Sequence, residues 1–315
     1  MIVVLAGGSG FLGRALHAHF SAAGHTVRTL TRRPRPGVRE EVAWQPDGSI
    51  GPWSTALHDA DVVVNLAGEG IADKRWTAAR KDALRTSRIL PGRSLAGALA
   101  AAPSRARTLI TSCAIGYYGA RGDEAITEET APGSDFLASL CVDWEREATA
   151  AASPTTHVAI VRTGIVLHPD GGALKSMLTP FRLGVGGPMG TGRQYMSWIH
   201  LEDWVALIGW LTSSGPGVPA AAAPAAVGRG TTPQTTSAWN GTAPGPVTNA
   251  EFARVLAGVL GRPAVISAPA FGLKLLLGEF AEFLLTGARV LPAAAERAGF
   301  RFRYRELEPA LRSLL

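Results

Sequence analysis

A chain of 315 residues with 46% hydrophobic side chains can bury a large core, as one big domain or as a domain with a smaller lobe. Its net charge of +6 comes from scattered arginines without a basic-aromatic stripe, so nucleic acid is not the expected partner. Two cysteines, Cys113 and Cys141, are too few for a disulfide framework or a zinc site, and no metal is expected.

Residues 1–5 predict a short apolar strand that runs at once into Gly7-Gly8-Ser9-Gly10-Phe11-Leu12-Gly13. A strand starting at residue 2 leaves no room for a signal peptide, so a cytoplasmic protein is expected. Glycines at 7, 10 and 13 have the spacing of a dinucleotide-binding turn. Gly7 permits the tight turn, Gly10 lets a pyrophosphate approach the backbone, and Gly13 lets the following helix pack closely. Ser9, Phe11 and Leu12 complete the turn and open the helix, whose free N–H groups and positive dipole end suit phosphate. That helix is expected over 14–23, ended by Gly24, with a second strand over 25–31. An NAD site usually places an acid at the end of this strand for the ribose 2′-OH. Thr31-Arg32-Arg33 stand there instead. Guanidinium groups grip a 2′-phosphate that an acid would repel, so NADP(H) is the expected cofactor, with Arg32 ahead of Arg33.

A third strand is expected over 42–44, with Trp44 at its end counted among the cofactor residues. The apolar run 61–68 predicts a buried strand ending in Asn65-Leu66-Ala67-Gly68-Glu69. Small residues there allow close approach of a cofactor ribose, and Leu66, Ala67, Gly68 and Glu69 are assigned to it. A long helix over 82–101 should be interrupted or kinked at Pro91-Gly92. A fifth strand over 108–112 leads into Ser112-Cys113-Ala114-Ile115-Gly116-Tyr117-Tyr118-Gly119. Residues 144–152 belong to a helix, and a sixth strand over 158–161 ends in Arg162-Thr163-Gly164, with Arg162 assigned to the cofactor. This alternation implies an α/β fold, a doubly wound parallel sheet of Rossmann type whose ligands gather at the carboxyl ends of the strands.

After Gly164 the alternation fades into glycine-rich loops and short helices. Residues 215–237, rich in Ala, Pro, Gly and Thr with almost no charge, predict a flexible surface insertion. A helix over 249–260 is capped by Asn249 or Thr248. Residues 271–285 predict a further helix, too interrupted by Lys274, Glu279 and Glu282 to cross a membrane, and 307–315 a terminal one. The expected division is a cofactor domain over 1–170, with room for part of 195–245, and a substrate lobe over 171–315.

These strand ends resemble the extended short-chain dehydrogenase/reductases, the group that includes nucleotide-sugar epimerases and dehydratases. The likeness is closer to the branch of epimerase-family proteins that end in a domain of unknown function. Its marks are Asn65-Leu66-Ala67-Gly68-Glu69 with Arg75-Trp76, Ser87-Arg88, Trp144-Glu145 and Arg162-Thr163-Gly164-Ile165-Val166-Leu167. Further on stand Gly192-Arg193-Gln194, Ser197-Trp198-Ile199-His200 with Asp203, Arg289-Val290-Leu291-Pro292 and Gly299-Phe300-Arg301-Phe302. The resemblance implies a nicotinamide cofactor and a small-molecule substrate.

Catalytic members of that wider group pair a Ser or Thr with Tyr-x-x-x-Lys, the Lys lowering the pKa of the tyrosine that passes the proton. Ser112 matches the first position. The window from Phe136 to Glu145 holds neither Tyr nor Lys: Phe136 or Leu137 fills the tyrosine slot, Leu140 or Cys141 the lysine slot. Tyr117, Tyr118, Cys141 and Glu145 remain as substitutes, each with a packing or ion-pair alternative. Ser112 and Tyr117 are the catalytic candidates. His200 and Asp203 either bond each other or stabilise the start of the following helix. Lys175, Arg182 and Arg193 would suit an anionic substrate. Two readings follow: an NADP(H)-dependent epimerase or oxidoreductase-like protein acting on an unidentified small molecule, or a catalytically silent NADP(H) sensor. The oligomeric state stays open.

Overall fold

The computed structural model describes residues 1–101, 107–213, 235–264 and 266–315. The first half alternates strand and helix. β1 (Ile2–Ala6) turns into α1 (Phe11–Ala22), and Gly24, at φ 76, reverses the chain into β2 (Thr26–Thr31). β3 (Glu41–Ala43), a 3-10 turn over Pro52–Leu57 and β4 (Val62–Asn65) lead to α2 (Ala78–Ala101). β5 (Arg107–Ala114), β6 (Gly122–Ile126), α3 (Phe136–Thr149) and β7 (Thr156–Thr163) complete that half. The second half runs β8 (Ile165–Leu167), α4 (Gly172–Arg182), β9 (Tyr195–Met196), β10 (Trp198–His200), α5 (Leu201–Ser213) and β11 (Thr236–Gly241). It ends with β12 (Val247–Thr248), α6 (Asn249–Leu260), α7 (Ala270–Leu277), α8 (Phe280–Leu285), β13 (Ala288–Val290), α9 (Ala293–Arg297) and α10 (Leu307–Leu314).

Seven strands form one parallel sheet in the order β3-β2-β1-β4-β5-β7-β11. Parallel neighbours need crossovers, and these place helices on both faces. α1 and α5 cover one face with Leu16, Phe20, Trp204 and Leu207, all essentially inaccessible. α2, α3 and the 3-10 turn cover the other with Leu95, Leu99, Trp144 and Trp53. From β1 the strand order grows toward β2 on one side and toward β4 on the other. That reversal opens a crevice above the β1 and β4 carboxyl ends, where such sheets take ligands. A smaller lobe packs α4, α6 and α10 around Leu178, Phe252 and Leu311. No described helix is long and apolar enough to cross a membrane.

Several sequence expectations shift. α2 runs unbroken through Pro91 and Gly92, both buried. A Cβ at Gly92 would stand 3.3 Å from Glu147 Cβ, so the helix packs tightly on α3, and that packing outweighs the cost of an internal proline. α3 starts at Phe136, well before Trp144, because Asp135 caps it by accepting from Ala138 N at 2.9 Å. The apolar run 271–285 is two helices, parted at Gly278 with φ 63. The break turns Phe280 into a cluster with Trp76, Leu84, Leu137 and Leu140, while Phe271, Leu275 and Leu276 of α7 stay exposed. Thr248, rather than Asn249, caps α6. Of the stretch 215–237, residues up to 234 lie outside the described ones. Thr236 and Ser237 belong to β11, paired with Val158 and Ala159 at the sheet edge, so the insertion ends before them.

Candidate functional site

At the β1 end, a Cβ on Gly7 (φ 84) would fall 2.9 Å from the Leu66 carbonyl carbon, so the turn lies directly against the end of β4. A Cβ on Gly13 would fall 2.5 Å from Gly7 O and from Gly8 Cα; the helix packs on the turn itself. Gly10 is open by comparison, with only Gly7 O at 3.3 Å. α1 has no side-chain cap and no acid in its first turn, which leaves its first amides available to an anion. Ser9 is exposed, and its carbonyl accepts from Arg14 Nη1 at 2.8 Å. The Phe11 ring turns inward, tilted on His168 at 5.8 Å and packed against Gly171, and Leu12 packs on the core. Both are half-buried.

At the β2 end, Arg32 and Arg33 are exposed, and their guanidinium groups have no partner among the described residues. Arg35, by contrast, is paired with Glu41. Trp44 sits behind this edge. Its backbone N–H donates to Thr31 O at 2.9 Å and its buried ring packs 5.5 Å from Trp53.

At the β4 end, Asn65 Oδ1 accepts from Ala67 N at 3.1 Å and shapes the turn. Leu66 and Ala67 are half-buried; Gly68 and Glu69 are exposed. α2 pins the loop beyond. Glu69 N donates to Ser87 Oγ at 3.1 Å, Arg88 Nη2 to Glu69 O at 2.9 Å, and Arg80 Nη2 to Gly70 O at 2.6 Å, while Arg80 also pairs with the Glu69 carboxylate.

At the β5 end, Ser112 Oγ lies 2.9 Å from Thr163 Oγ1, which also accepts from Trp204 Nε1 at 3.1 Å. Ser112 is 7% exposed, so its hydroxyl joins β5 to β7. Tyr118 is fully buried; its OH donates to Asn240 Oδ1 at 2.7 Å, and burial pushes it up to about 12. Arg162 runs beneath. Its Nε and Nη2 meet the Glu145 carboxylate at 2.8 and 2.9 Å, and Nη1 donates to Tyr118 OH at 2.9 Å and Glu128 O at 3.2 Å. Burial pulls this guanidinium down, and the hydrogen bonds to Glu145 outweigh it, leaving Arg162 above the ordinary arginine range. The half-buried Tyr117 ring lies 3.5 Å above that guanidinium, and burial raises its phenol.

α3 turns Leu137 and Cys141 toward the strand end: a Cβ on Gly116 would stand 3.3 Å from Leu137 Cβ and 3.9 Å from Cys141 Sγ. Cys113 and Cys141 are both buried, and burial pushes the Cys113 thiol well up. The last segment closes over this side. Lys81 pairs with Glu279 at 2.6 Å, and Trp76 meets Phe136 edge-on and Phe280 at a tilt.

The family model for NAD dependent epimerases and dehydratases matches residues 3–217, and Domain of unknown function (DUF1731) matches 268–314. This chain belongs to the NAD dependent epimerase/dehydratase family. Epimerase family protein Mb2239 of Mycobacterium bovis is 41% identical over 312 residues, covering 98% of this chain and 96% of that one. Human epimerase family protein SDR39U1 is 35% identical over 323 residues, covering all of both. The crystal structure of its isoform 2, solved with NADPH, matches with a TM-score of 0.86 at 31% identity over 100% of this chain and 99% of the other.

Within this epimerase/dehydratase fold, the crevice gathers the glycine turn, Arg32, Arg33, Leu66, Ala67, Gly68 and Glu69. Trp44, Ser112 and Arg162 stand differently: each is buried and bonded or packed inward. Parity along the strand and the partners on neighbouring elements decide this, and neither shows in the residue itself. Glu145 is the internal ion-pair partner of Arg162. His200 and Asp203 do not bond each other. His200 Nδ1 accepts from Glu202 N at 3.0 Å, with burial pulling the ring down to about 4, and Asp203 accepts from Arg303 N and Tyr304 N. Lys175, Arg182 and Arg193 are exposed on α4 and beyond it. Sequence reasoning missed Arg80, Ser87 and Arg88 as the holders of the β4 loop. The Ser87-Arg88 pair was their only signal.

Proposed function

We propose that this epimerase/dehydratase-family chain binds NADP(H) across the β1–β4 crevice and acts on a small anionic molecule. One observation carries the cofactor choice: an uncapped helix start beside two exposed arginines that have no partner among the described residues, at a strand end with no acid. The human relative solved with NADPH supports it. The α1 amides and the open Gly10 would hold the pyrophosphate, and Arg32 with Arg33 the 2′-phosphate. Bound NADP(H) supplies hydride chemistry. Of the hydroxyls gathered at the β5 end, Tyr117 is the one that is neither fully buried nor tied between strands, which makes it the candidate proton donor.

A second reading, a catalytically silent NADP(H) sensor, is favoured by one specific feature. α3 presents Leu137 and Cys141 to the strand end where a proton relay would stand. Steady oxidation of NADPH with any member of a carbonyl library would exclude it.

Arg32→Ala tests the cofactor reading by fluorescence titration. Losing a charge-assisted contact of about 1.5–3 kcal/mol should weaken NADPH by roughly 10- to 100-fold and leave NADH unchanged. Equal losses for both nucleotides would overturn the assignment.

A further inference from the structure

The exposed apolar side chains of this protein are unevenly placed. Leu183, Val185, Ile266, Phe271, Leu275 and Leu276 are each 51–77% exposed, and they make up six of the ten large apolar side chains exposed among the described residues. Backbone contacts bring their two chain segments together. Gly190 N donates to Ala268 O and Ala268 N to Pro188 O, each at 2.9 Å, and a Cβ on Gly187 would fall 2.1 Å from Ile266 O. The Pro263 ring lies against Gly184, the residue between Leu183 and Val185. α7 extends the face: none of its eight residues is buried, although five of them are Phe or Leu. Apolar surface gathered in this way marks a place of contact.

The charge carried by these segments is of one sign. Residues 182–190 and 261–278 contain Arg182, Arg262 and Lys274 and no acid. All three bases are exposed. Of the acids that follow α7, Glu279 is held by Lys81 at 2.6 Å, and Glu282 stands 3.9 Å from Lys274. An isologous dimer would set this face against itself, bases against bases. A protein partner would need a socket for each protruding side chain, whereas acyl chains fit any outline. Lysine and arginine stems also lie along apolar surface while their charges stay in the polar layer. No described helix is long and apolar enough to cross a bilayer, so the fit is to its surface.

We propose that this face, made of the loop after α4, Ile266 and α7, docks on a lipid surface that carries anionic headgroups. Phe271, Leu275 and Leu276 enter the boundary of the acyl layer, and Arg182, Arg262 and Lys274 meet the headgroup phosphates. α8 follows α7 across Gly278, and its Phe280 packs on Trp76. The docked face thus borders the segment that closes over the α3 side of the crevice. Neither the glycine turn nor Arg32 belongs to it, so docking needs no nucleotide.

Wild type, Phe271→Ser/Leu275→Ser, Arg262→Gln/Lys274→Gln and Ile50→Ser are floated with extruded vesicles of phosphatidylcholine, alone or mixed equally with phosphatidylglycerol, and the bound fraction is read against lipid concentration. Wild type should bind the mixed vesicles roughly tenfold or more tighter than the neutral ones, as expected for bases near an anionic surface. Phe271→Ser/Leu275→Ser should lose roughly tenfold or more on the mixed vesicles, with its thermal midpoint unchanged. Arg262→Gln/Lys274→Gln should lose most of the preference for phosphatidylglycerol. Ile50→Ser removes an exposed apolar side chain outside the face and should bind like wild type. No binding of wild type to the mixed vesicles overturns the proposal. So does binding that survives Phe271→Ser/Leu275→Ser, which would be adsorption by net charge alone, or an equal loss in Ile50→Ser. If the serine variant does not fold, Arg262→Gln/Lys274→Gln decides, and an unchanged preference for phosphatidylglycerol overturns the proposal. A wild-type dimer in light scattering that becomes a monomer in the serine variant assigns the face to a second copy and overturns it as well.

Discussion

The β1–β2 end and the β5–β7 end of one carboxyl edge hold their shapes by different means. At the first, bare Cα atoms at Gly7 and Gly13 set the geometry, α1 has no side-chain cap, and Arg32 and Arg33 are exposed without a guanidinium partner among the described residues. At the second, the polar groups are spent internally. Arg162 binds Glu145 and Tyr118, Tyr118 binds Asn240, and Ser112 binds Thr163. Donors that must receive a charged ligand are left free by the fold. Donors that hold strands together are buried with partners, because an unpaired polar group there would be costly. By this contrast the β1–β4 side is where the proposed cofactor grip falls, while the β5–β7 side is internally bonded, with the half-buried Tyr117 at its rim.

The strongest way to break the contrast is Glu145→Gln. It would leave the buried Arg162 without its counter-charge, and about 3–5 kcal/mol of stability should be lost in urea unfolding. Dinucleotide affinity of the folded protein should stay unchanged; a parallel loss of affinity would put Arg162 at the cofactor after all. Gly13→Ala should come next. Its Cβ would collide with the Gly7–Gly8 backbone, costing about 1–3 kcal/mol by overpacking and removing NADPH binding with it. A Gly13→Ala protein that binds NADPH normally would show that the turn tolerates displacement. The smallest effect is expected from Ser112→Ala, about 1 kcal/mol for one lost hydrogen bond, with NADPH binding intact. Turnover abolished without loss of stability would return Ser112 to a catalytic role.

The two ends were also unequally legible. The glycine turn is a local device: its strand, turn and helix are contiguous, so spacing alone carries its meaning. Arg32 was legible because it follows a strand directly. Trp44 has the same kind of position, yet its ring turns inward onto Trp53, a matter of strand register and packing. Arg162 was legible as a charge at a strand end, but its partners arrive from α3, the segment after β6, and the turn after β5. Arg88 is the extreme case. It sits mid-helix, and its part in holding the β4 loop comes from Glu69 O, brought to it by the β4 end, with Trp144 of α3 packed against it.

By itself, the order of residues determined the alternation of strands and helices, the parallel sheet, the position of the crevice and the absence of a Tyr-x-x-x-Lys pair. Each of these depends on near neighbours, on periodicity or on a missing residue. Only the tertiary structure decided which polar groups are available to a ligand and which are consumed, that α2 runs unbroken through Pro91, and that Arg80 and Arg88 of α2 hold the β4 loop. Those outcomes depend on partners far apart in the chain and on the cost of burying charge, and packing settles both.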